Sequence, residues 1–454
     1  MFKKILIANR GEIALRVIRA CRELEIRTVA IHSDVDRDSL HVTEADESFC
    51  VGPASAGQSY LNIPNILSAA VVARADAVHP GYGFLAENSE FVEICDSHGL
   101  TFIGPTAQTM RTMGDKSTAR KTVVKAGVPV LPGTQEIADF EDARAFGQEH
   151  GFPIMIKASA GGGGKGMRVA LADDELQRLF QTAQLEAESA FGDGRIYLEK
   201  FLPQARHIEF QILADHHGHV IHLGERDCSM QRRNQKLIEE SPSPVLSAQK
   251  RMEMGTMAVE AARASDYHGV GTVEFLFDPR DESFYFLEMN TRIQVEHPVT
   301  EMVTGLDLVK LQIRMAMGEK LDLRQEDVQL RGAAIECRIN AERADANFRP
   351  SFGRISTVHF PGGPGVRVDS HLYAGCQVQP YYDSLLAKVI AYGSDRNEAL
   401  ARMNRLLAEM RVEGVDTTID FQRSLINHPS FRAGIVHTTI VEKELLPSLA
   451  VIGS

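Results

Sequence analysis

The 454-residue chain is predicted to be a multidomain α/β and α+β protein: a parallel-sheet N-terminal domain, a central domain with a mobile lid and a mixed C-terminal domain. Three observations carry this expectation. βα units repeat over the first part of the chain, a glycine-rich segment lies between two strand-like runs, and a pair of apolar strands near 271–290 holds carboxylates. At about 150 residues per domain the length fits roughly three domains, and 44% hydrophobic residues can fill several cores.

Ile5-Leu6-Ile7-Ala8 is a short apolar run, followed by a helical period through Ile13, Val17, Ile18, Cys21 and Leu24. Residues 28–31, 75–78 and 101–103 are further strand candidates, with helical stretches before and after the 75–78 strand. Such units imply a parallel sheet covered by helices. The first turn, Asn9-Arg10-Gly11-Glu12, lacks G-x-G-x-x-G, so a dinucleotide fold loses its main support. Helical segments surround Lys116, and Pro129, Pro132 and Gly133 mark a connection into the lid segment. Strand pairs and helices then alternate from 204 to 318. Past 331 come a strand-like run at 333–339, a Pro-Gly turn at 361–363 and a late helix near 397–410, with no internal repeat.

Lys and Arg number 49 against 61 Asp and Glu, a net charge of −12, which disfavours nonspecific attraction to nucleic acid or an anionic membrane. A local basic site is compatible with that balance. The six cysteines are scattered without a C-x-x-C pair, which argues against a disulfide framework or zinc site and suits a reducing cytosol. The first apolar run is interrupted by Asn9, Arg10 and Glu12, too soon for a signal peptide. No stretch approaches the ~18 apolar residues of a membrane span. A cytoplasmic protein with no nucleic-acid or membrane partner is the expectation.

In the segment 154–169, four consecutive glycines (161–164) lie between Lys157 and Lys165. Glycine freedom lets successive N–H groups converge on an anion. A Walker A loop is excluded, because Met167 stands where lysine is required. The strand-like residues that follow make the loop the cap of a hairpin, suited to a lid over a nucleotide. Glycines alone would equally suit a flexible surface loop; the two lysines favour phosphate.

Glu274 and Glu288 sit inside otherwise apolar strands, where an unpaired carboxylate is costly and needs a cation or a proton. A hairpin brings both to one face with Asn290, an oxygen set that suits Mg²⁺; pairing with core arginines is the bland alternative. The alternation continues through Arg292, Gln294 and Glu296, which share that face if the stretch stays extended. An arginine fork suits a planar oxyanion, and a neighbouring carboxylate could take its proton. The run 225–236 is basic and polar and by itself reads as solvated surface, but near an anion site it supplies Arg233 and Lys236. His207 by itself reads as an ordinary core or surface histidine. Together these residues point to a magnesium-ATP-dependent ligase that phosphorylates a small oxyanion.

The chain resembles the biotin carboxylases of the ATP-grasp superfamily over essentially its whole length. The resemblance is carried by Ala8-Asn9-Arg10-Gly11-Glu12-Ile13-Ala14, His79-Pro80-Gly81-Tyr82-Gly83-Phe84-Leu85, Met113-Gly114-Asp115-Lys116 and the glycine-rich loop. It extends through 225–233, the highly specific string 288–298 and Glu336-Cys337-Arg338-Ile339-Asn340. It implies an N-terminal domain at 1–113, an ATP-grasp domain at 114–330 with its lid at about 131–203, and a C-terminal domain at 331–454. It further implies ATP contacts from Lys116, Lys157, Gly163, Gly164, Glu199, Lys200, Phe201, Leu202, His207, Gln231 and Asn234. Glu274, Glu288 and Asn290 would hold magnesium or manganese. Lys236, Arg292, Gln294 and Val295 would hold bicarbonate, and Glu296 would deprotonate it to give carboxyphosphate. Arg338 would stabilise the biotin enolate, and Tyr82 would lie beside the biotin ring.

Asn234 departs from the histidine of many family members, Ala160 from a frequent glycine, and Ser241 and Ser243 from common alanines. No Met-Lys-Met biotinylation context occurs. The resemblance therefore implies a stand-alone, homodimeric subunit that meets biotin on a separate carrier protein and works with carboxyltransferase subunits, in fatty acid synthesis or a related pathway. An amine ligase of the same superfamily and a non-catalytic nucleotide-binding subunit are the rival readings. Bicarbonate dependence separates them from the first.

Overall fold

Alternating apolar runs and amphipathic helices build the N-terminal sheet as its pattern predicts. A computed structural model of the chain describes residues 1–135, 137, 139–158, 167–191 and 194–447. Five strands lie in the order Glu47–Gly52, Arg27–Ser33, Lys4–Ile7, Ala77–His79, Thr101–Phe102, with every pairing parallel. Helix Gly11–Glu23 packs Ile13, Val17, Ile18 and Cys21 onto Ile5 and Ile7. The edge strand Glu47–Gly52 escaped the sequence reading because five of its six residues stay partly or fully exposed and its apolar run is short. Helices Ile63–Ala73 and Ser89–Ser97 begin at Asn62 and Asn88, whose side chains accept N–H bonds from the first turn.

The chain divides into two compact units, one of Met1–Val128, Arg206–Phe275 and Glu288–Ser454, the other of Pro129–Ala205 and Leu276–Leu287. The larger unit contains most of an eight-stranded sheet. Its order is Ser283–Asn290, Gly269–Asp278, Arg206–Ala214, Val220–Arg232, Gln235–Ser241, Ala333–Asn340, Leu385–Gly393, Val366–Ser370. In the C-terminal part of this sheet one face is apolar, and the other mixes Ala334 and Ile390 with charged side chains. Ile335, Cys337 and Ile339 point with Ala387, Val389 and Ala391 into a core closed by Met403 and Leu406 of helix Arg396–Glu409. Glu336 and Arg338 alternate with them, and the register sets Arg338 opposite Lys388 and Lys388 opposite Asp369. Strand alternation thus puts one row of charges on the face away from that core.

In the smaller unit an antiparallel sheet, ordered Met167–Ala170, Ile154–Ala158, Ile196–Lys200, packs with helices Phe140–His150 and Asp173–Phe191 around Phe146, Ile156, Phe180 and Leu198. The expected hairpin is therefore present on either side of the glycine loop. Gly163 and Gly164 themselves lie outside the described residues. No helix among the described residues is long and apolar enough to cross a membrane.

Two sequence expectations are corrected. Most of the run 225–236 is not solvated surface: residues 225–232 are buried within strand Val220–Arg232, an interior strand of the large sheet, and 233–235 are exposed at the turn that follows. The extended stretch beyond Glu288 stops at Asn290, where the Thr291 N–H donates to the Glu87 carboxylate at 3.1 Å, and residues 291–296 turn into helix His297–Thr304.

Candidate active site

Strand Arg206–Ala214 alternates His207, Glu209 and Gln211 with Ile208, Phe210 and Ile212. Its polar side chains meet Lys236, from strand Gln235–Ser241, and Glu274, from strand Gly269–Asp278. The Lys236 ammonium donates to Glu209 and Glu296, both at 2.5 Å, and to Glu274 at 3.1 Å. Burial works to lower the Lys236 pKa, but the three carboxylates raise it well above the usual lysine value. Burial similarly opposes charge on Glu296, while Lys236, Arg338 and Arg226 together hold the carboxyl below its usual range. A base that is ionised and ready to accept a proton results.

The other oxygen of Glu296 accepts from Arg338 Nη2 at 2.9 Å, and Arg338 Nε donates to Glu239 at 2.7 Å. Glu239 is buried, which lifts its pKa to about 7 against the pull of Arg338. Gln294 Nε2 and Asn290 Nδ2 donate to Glu274 Oε1 at 2.7 and 2.8 Å. Arg292 is held by Asn290 Oδ1 and Glu87, each at 3.1 Å. His207 Nε2 lies 2.9 Å from Glu274 Oε2; burial alone would lower the imidazole, but Glu274 raises it to about 9.

Glu274 and Asn290 are joined by that hydrogen bond, and Glu288 feels the Glu274 charge. Glu288 has no hydrogen-bonding or ionic partner for its carboxylate among the described residues, and burial followed by the Glu274 charge raises its pKa. A carboxylate pressed toward protonation beside a second one, with an amide oxygen two residues on, fits a hard divalent cation.

Several partners were missed by sequence reasoning. Arg226 is fully buried and donates to Glu209, Gln211, Thr300, Thr272 and Gln294 at 2.5 to 3.1 Å, which fixes the orientation of the Gln294 amide. The period-two pattern of 206–214 could have flagged Glu209. Lys388 donates to the Val295 carbonyl at 2.9 Å. Tyr82 donates to Glu12, and its loop is tied by Asn9 Nδ2, which donates to the carbonyls of Pro80 and Tyr82, both at 2.7 Å. Gly81 must be glycine here, because φ is +62° and a Cβ would lie 3.0 Å from Asn9 Nδ2.

Three family models together cover most of the chain: the N-terminal domain of biotin carboxylase over residues 1–110, the ATP-binding domain of the carbamoyl-phosphate synthase L chain over 115–324, and the biotin carboxylase C-terminal domain over 336–443. The biotin carboxylase of Nostoc sp. is 57% identical over 443 residues, which cover 97% of this chain and 99% of the relative. The chain belongs to the biotin carboxylase family. A biotin carboxylase β,γ-ATP complex from Campylobacter jejuni superposes with a TM-score of 0.89 at 47% identity, over 98% of this chain and 99% of that one. The biotin carboxylase domain dimer of Hydrogenobacter thermophilus 2-oxoglutarate carboxylase, in complex with MgADP, ADP and bicarbonate, does so with 0.87 at 48% identity, over 98% of each chain.

The remaining residues singled out from the family resemblance fall in both units. In the larger one, Lys116 is exposed at the start of helix Lys116–Lys125 and lowers the Glu288 pKa, after burial and Glu274 have raised it. Gln231 pairs across the strands with Lys236. Asn234 is exposed in a two-residue turn with Arg233, at φ of 64° and 48°. Asparagine tolerates that left-handed conformation better than most residues, a local reason for its presence. In the smaller unit, Lys157 pairs with Glu199, and Lys200 Nζ donates to the carbonyls of His150 and Phe152 at 2.9 and 3.0 Å. The Phe201 N–H bonds to the Pro153 carbonyl at 3.0 Å, and Leu202 directly follows that strand end.

Proposed function

We propose that this chain catalyses the ATP-dependent carboxylation of biotin with bicarbonate. The observation that carries the reading is Glu296, whose two oxygens meet Lys236 on one side and Arg338 on the other. Arg292, Gln294, the Val295 backbone and Lys236 hold bicarbonate, and Glu296 takes its proton. The bicarbonate oxygen attacks the γ-phosphorus of ATP, releasing ADP and forming carboxyphosphate. This breaks into CO₂ and phosphate, the phosphate takes the ureido N–H proton, and the biotin nitrogen attacks CO₂. Arg338 stabilises the enolate oxygen of biotin during that step, beside Tyr82. Fixed cations aimed at developing negative charge are the main source of acceleration in such sites. Glu274, Glu288 and Asn290 would hold Mg²⁺ or Mn²⁺, which neutralises charge on the transferred phosphoryl group.

The family resemblance assigns ATP contacts to Lys116, Lys157, Gly163, Gly164, residues 199–202, His207, Gln231 and Asn234. The finer reading is a cytoplasmic homodimer that acts on biotin borne by a separate carrier protein. It would supply a carboxyltransferase, with acetyl-CoA, hence fatty acid synthesis, as the default acceptor. ADP release by the purified chain with Mg-ATP, with and without bicarbonate and free biotin, tests the activity. Turnover that needs bicarbonate and rises with biotin supports it; turnover indifferent to both overturns it.

A further inference from the structure

Lys388 is fully buried, yet its ammonium is absent from the chemistry above. It has three neighbours of different kinds: the Val295 carbonyl at 2.9 Å, Glu12 Oε1 at 3.2 Å and Asp369 Oδ2 at 3.9 Å. Asp369 is already claimed by the Arg367 fork at 2.9 and 2.7 Å, which leaves Glu12 as the principal counter-charge. The same Glu12 oxygen accepts from the Tyr82 hydroxyl, and the Lys388 ammonium lies 5.9 Å from the centre of the Tyr82 ring. A continuous chain of polar contacts therefore runs from the Tyr82 phenol through Glu12 and Lys388 to the peptide unit joining Val295 to Glu296. With Lys388 and Glu12 closed to solvent, water cannot easily replace a lost link.

We infer that Lys388 and Glu12 are positioning residues that couple occupancy of the biotin side, at Tyr82, to the placement of the Glu296 base. The inference rests on the proposed biotin carboxylation. The peptide plane of 295–296 sets the start of the Glu296 side chain, and a charged donor on its carbonyl fixes that plane more firmly than a neutral one. Biotin pressing on Tyr82 changes the hydrogen bond to Glu12 and, through it, the share of Glu12 charge left for Lys388. Lys388 then tightens or relaxes its hold on the Val295 carbonyl. The other charged and titratable neighbours are fixed elements of the same wall: Arg338 and Glu336 on the adjacent strand, and His297, which burial and then Lys388 hold neutral.

The test is Glu12→Gln, close in size to the original, in the full chain. Bicarbonate-dependent ADP release is measured without biotin and across a titration of free biotin. The expected result is biotin-free turnover within about 3-fold of the parent, while stimulation by biotin falls about 10-fold, within the usual range of coupling between sites. Equal loss of both rates, or no change in either, overturns the relay. If Glu12→Gln does not fold, Lys388→Arg and Lys388→Met replace it. Lys388→Arg keeps the charge and should retain part of the biotin stimulation that Lys388→Met loses; equal behaviour of the two overturns the relay. A parent enzyme indifferent to bicarbonate would instead sink the proposed activity, a distinguishable failure.

Discussion

Lys236, partly buried, and Lys388, fully buried, are both lysines set among carboxylates in the same unit, and their surroundings differ. The Lys236 side chain keeps 12% of its exposure and is shared by three carboxylates, each of which also meets a second cation: Arg226 on Glu209, His207 on Glu274 and Arg338 on Glu296. Lys388 keeps none and is balanced chiefly by Glu12 and a peptide carbonyl. Charges shared among several partners and not fully closed to solvent can be redistributed when a charged substrate arrives. A balanced pair sealed from water can only hold its neighbours in place. The contrast separates groups that do chemistry from groups that orient them, although the residue type is the same.

The largest effect expected from this contrast is at the open pocket. Glu296→Ala should lower bicarbonate-dependent ADP release by at least about 10²-fold, the usual contribution of a general base, and biotin carboxylation with it. ATP hydrolysis unchanged in that variant would remove Glu296 from its role. Arg338→Ala comes next and should split the two activities. Carboxylation of free biotin is lost, while ADP release with bicarbonate stays within about 10-fold, because Arg338 acts after bicarbonate is activated. Equal loss of both would place Arg338 with the base instead.

The open pocket was far more legible in the sequence than the sealed one. Glu274 and Glu288 stood out because a carboxylate inside an apolar strand has few innocent explanations, whereas Arg338 came only from the family resemblance carried by Glu336-Cys337-Arg338-Ile339-Asn340. Lys388 meets Val295 across 93 positions of sequence, and no local window contains both. Arg226 was hidden by composition: a polar run reads as surface unless the strand carrying it is known to lie inside a sheet with polar partners on both sides. The turn at 291–296 was likewise invisible, since its cause is Glu87 in another domain-scale segment. Pairing across distant strands, the last thing a sequence pattern encodes, decides which polar residues are sheltered.

A smaller effect probes the sealed side through pH. His79 is fully buried, and its Nδ1 accepts the Gly81 N–H at 3.0 Å, which helps fix the loop that carries Tyr82. Burial holds its pKa down at about 3, against an ordinary value of 6.5. The unfolded chain therefore takes up a proton below pH 6.5 that folded His79 refuses. The stability it contributes is complete above that pH and is lost as pH falls toward 3, at about 1.4 kcal/mol per pH unit. Urea midpoints at roughly pH 7.5 and 5.5 should differ less in His79→Gln than in the parent. Identical pH dependence would show that His79 is not held neutral.

The smallest effect tests whether the two faces of one strand are as separate as the register implies. Ile335 is fully buried on the apolar face of strand Ala333–Asn340, one residue from Glu336 and three from Arg338. Ile335→Val removes one methylene and should cost about 1 kcal/mol of stability, read as a shift in the urea midpoint with unchanged slope. Because the missing volume opens toward Met403 and Leu406, away from the charged row, the ratio of biotin-stimulated to biotin-free ADP release should match the parent's. A changed ratio would mean that repacking beneath the sheet reaches Arg338 and Lys388 through the backbone. The sealed lysine would then owe its position to the core as much as to its ionic partners, and the line drawn between the two pockets would have to move.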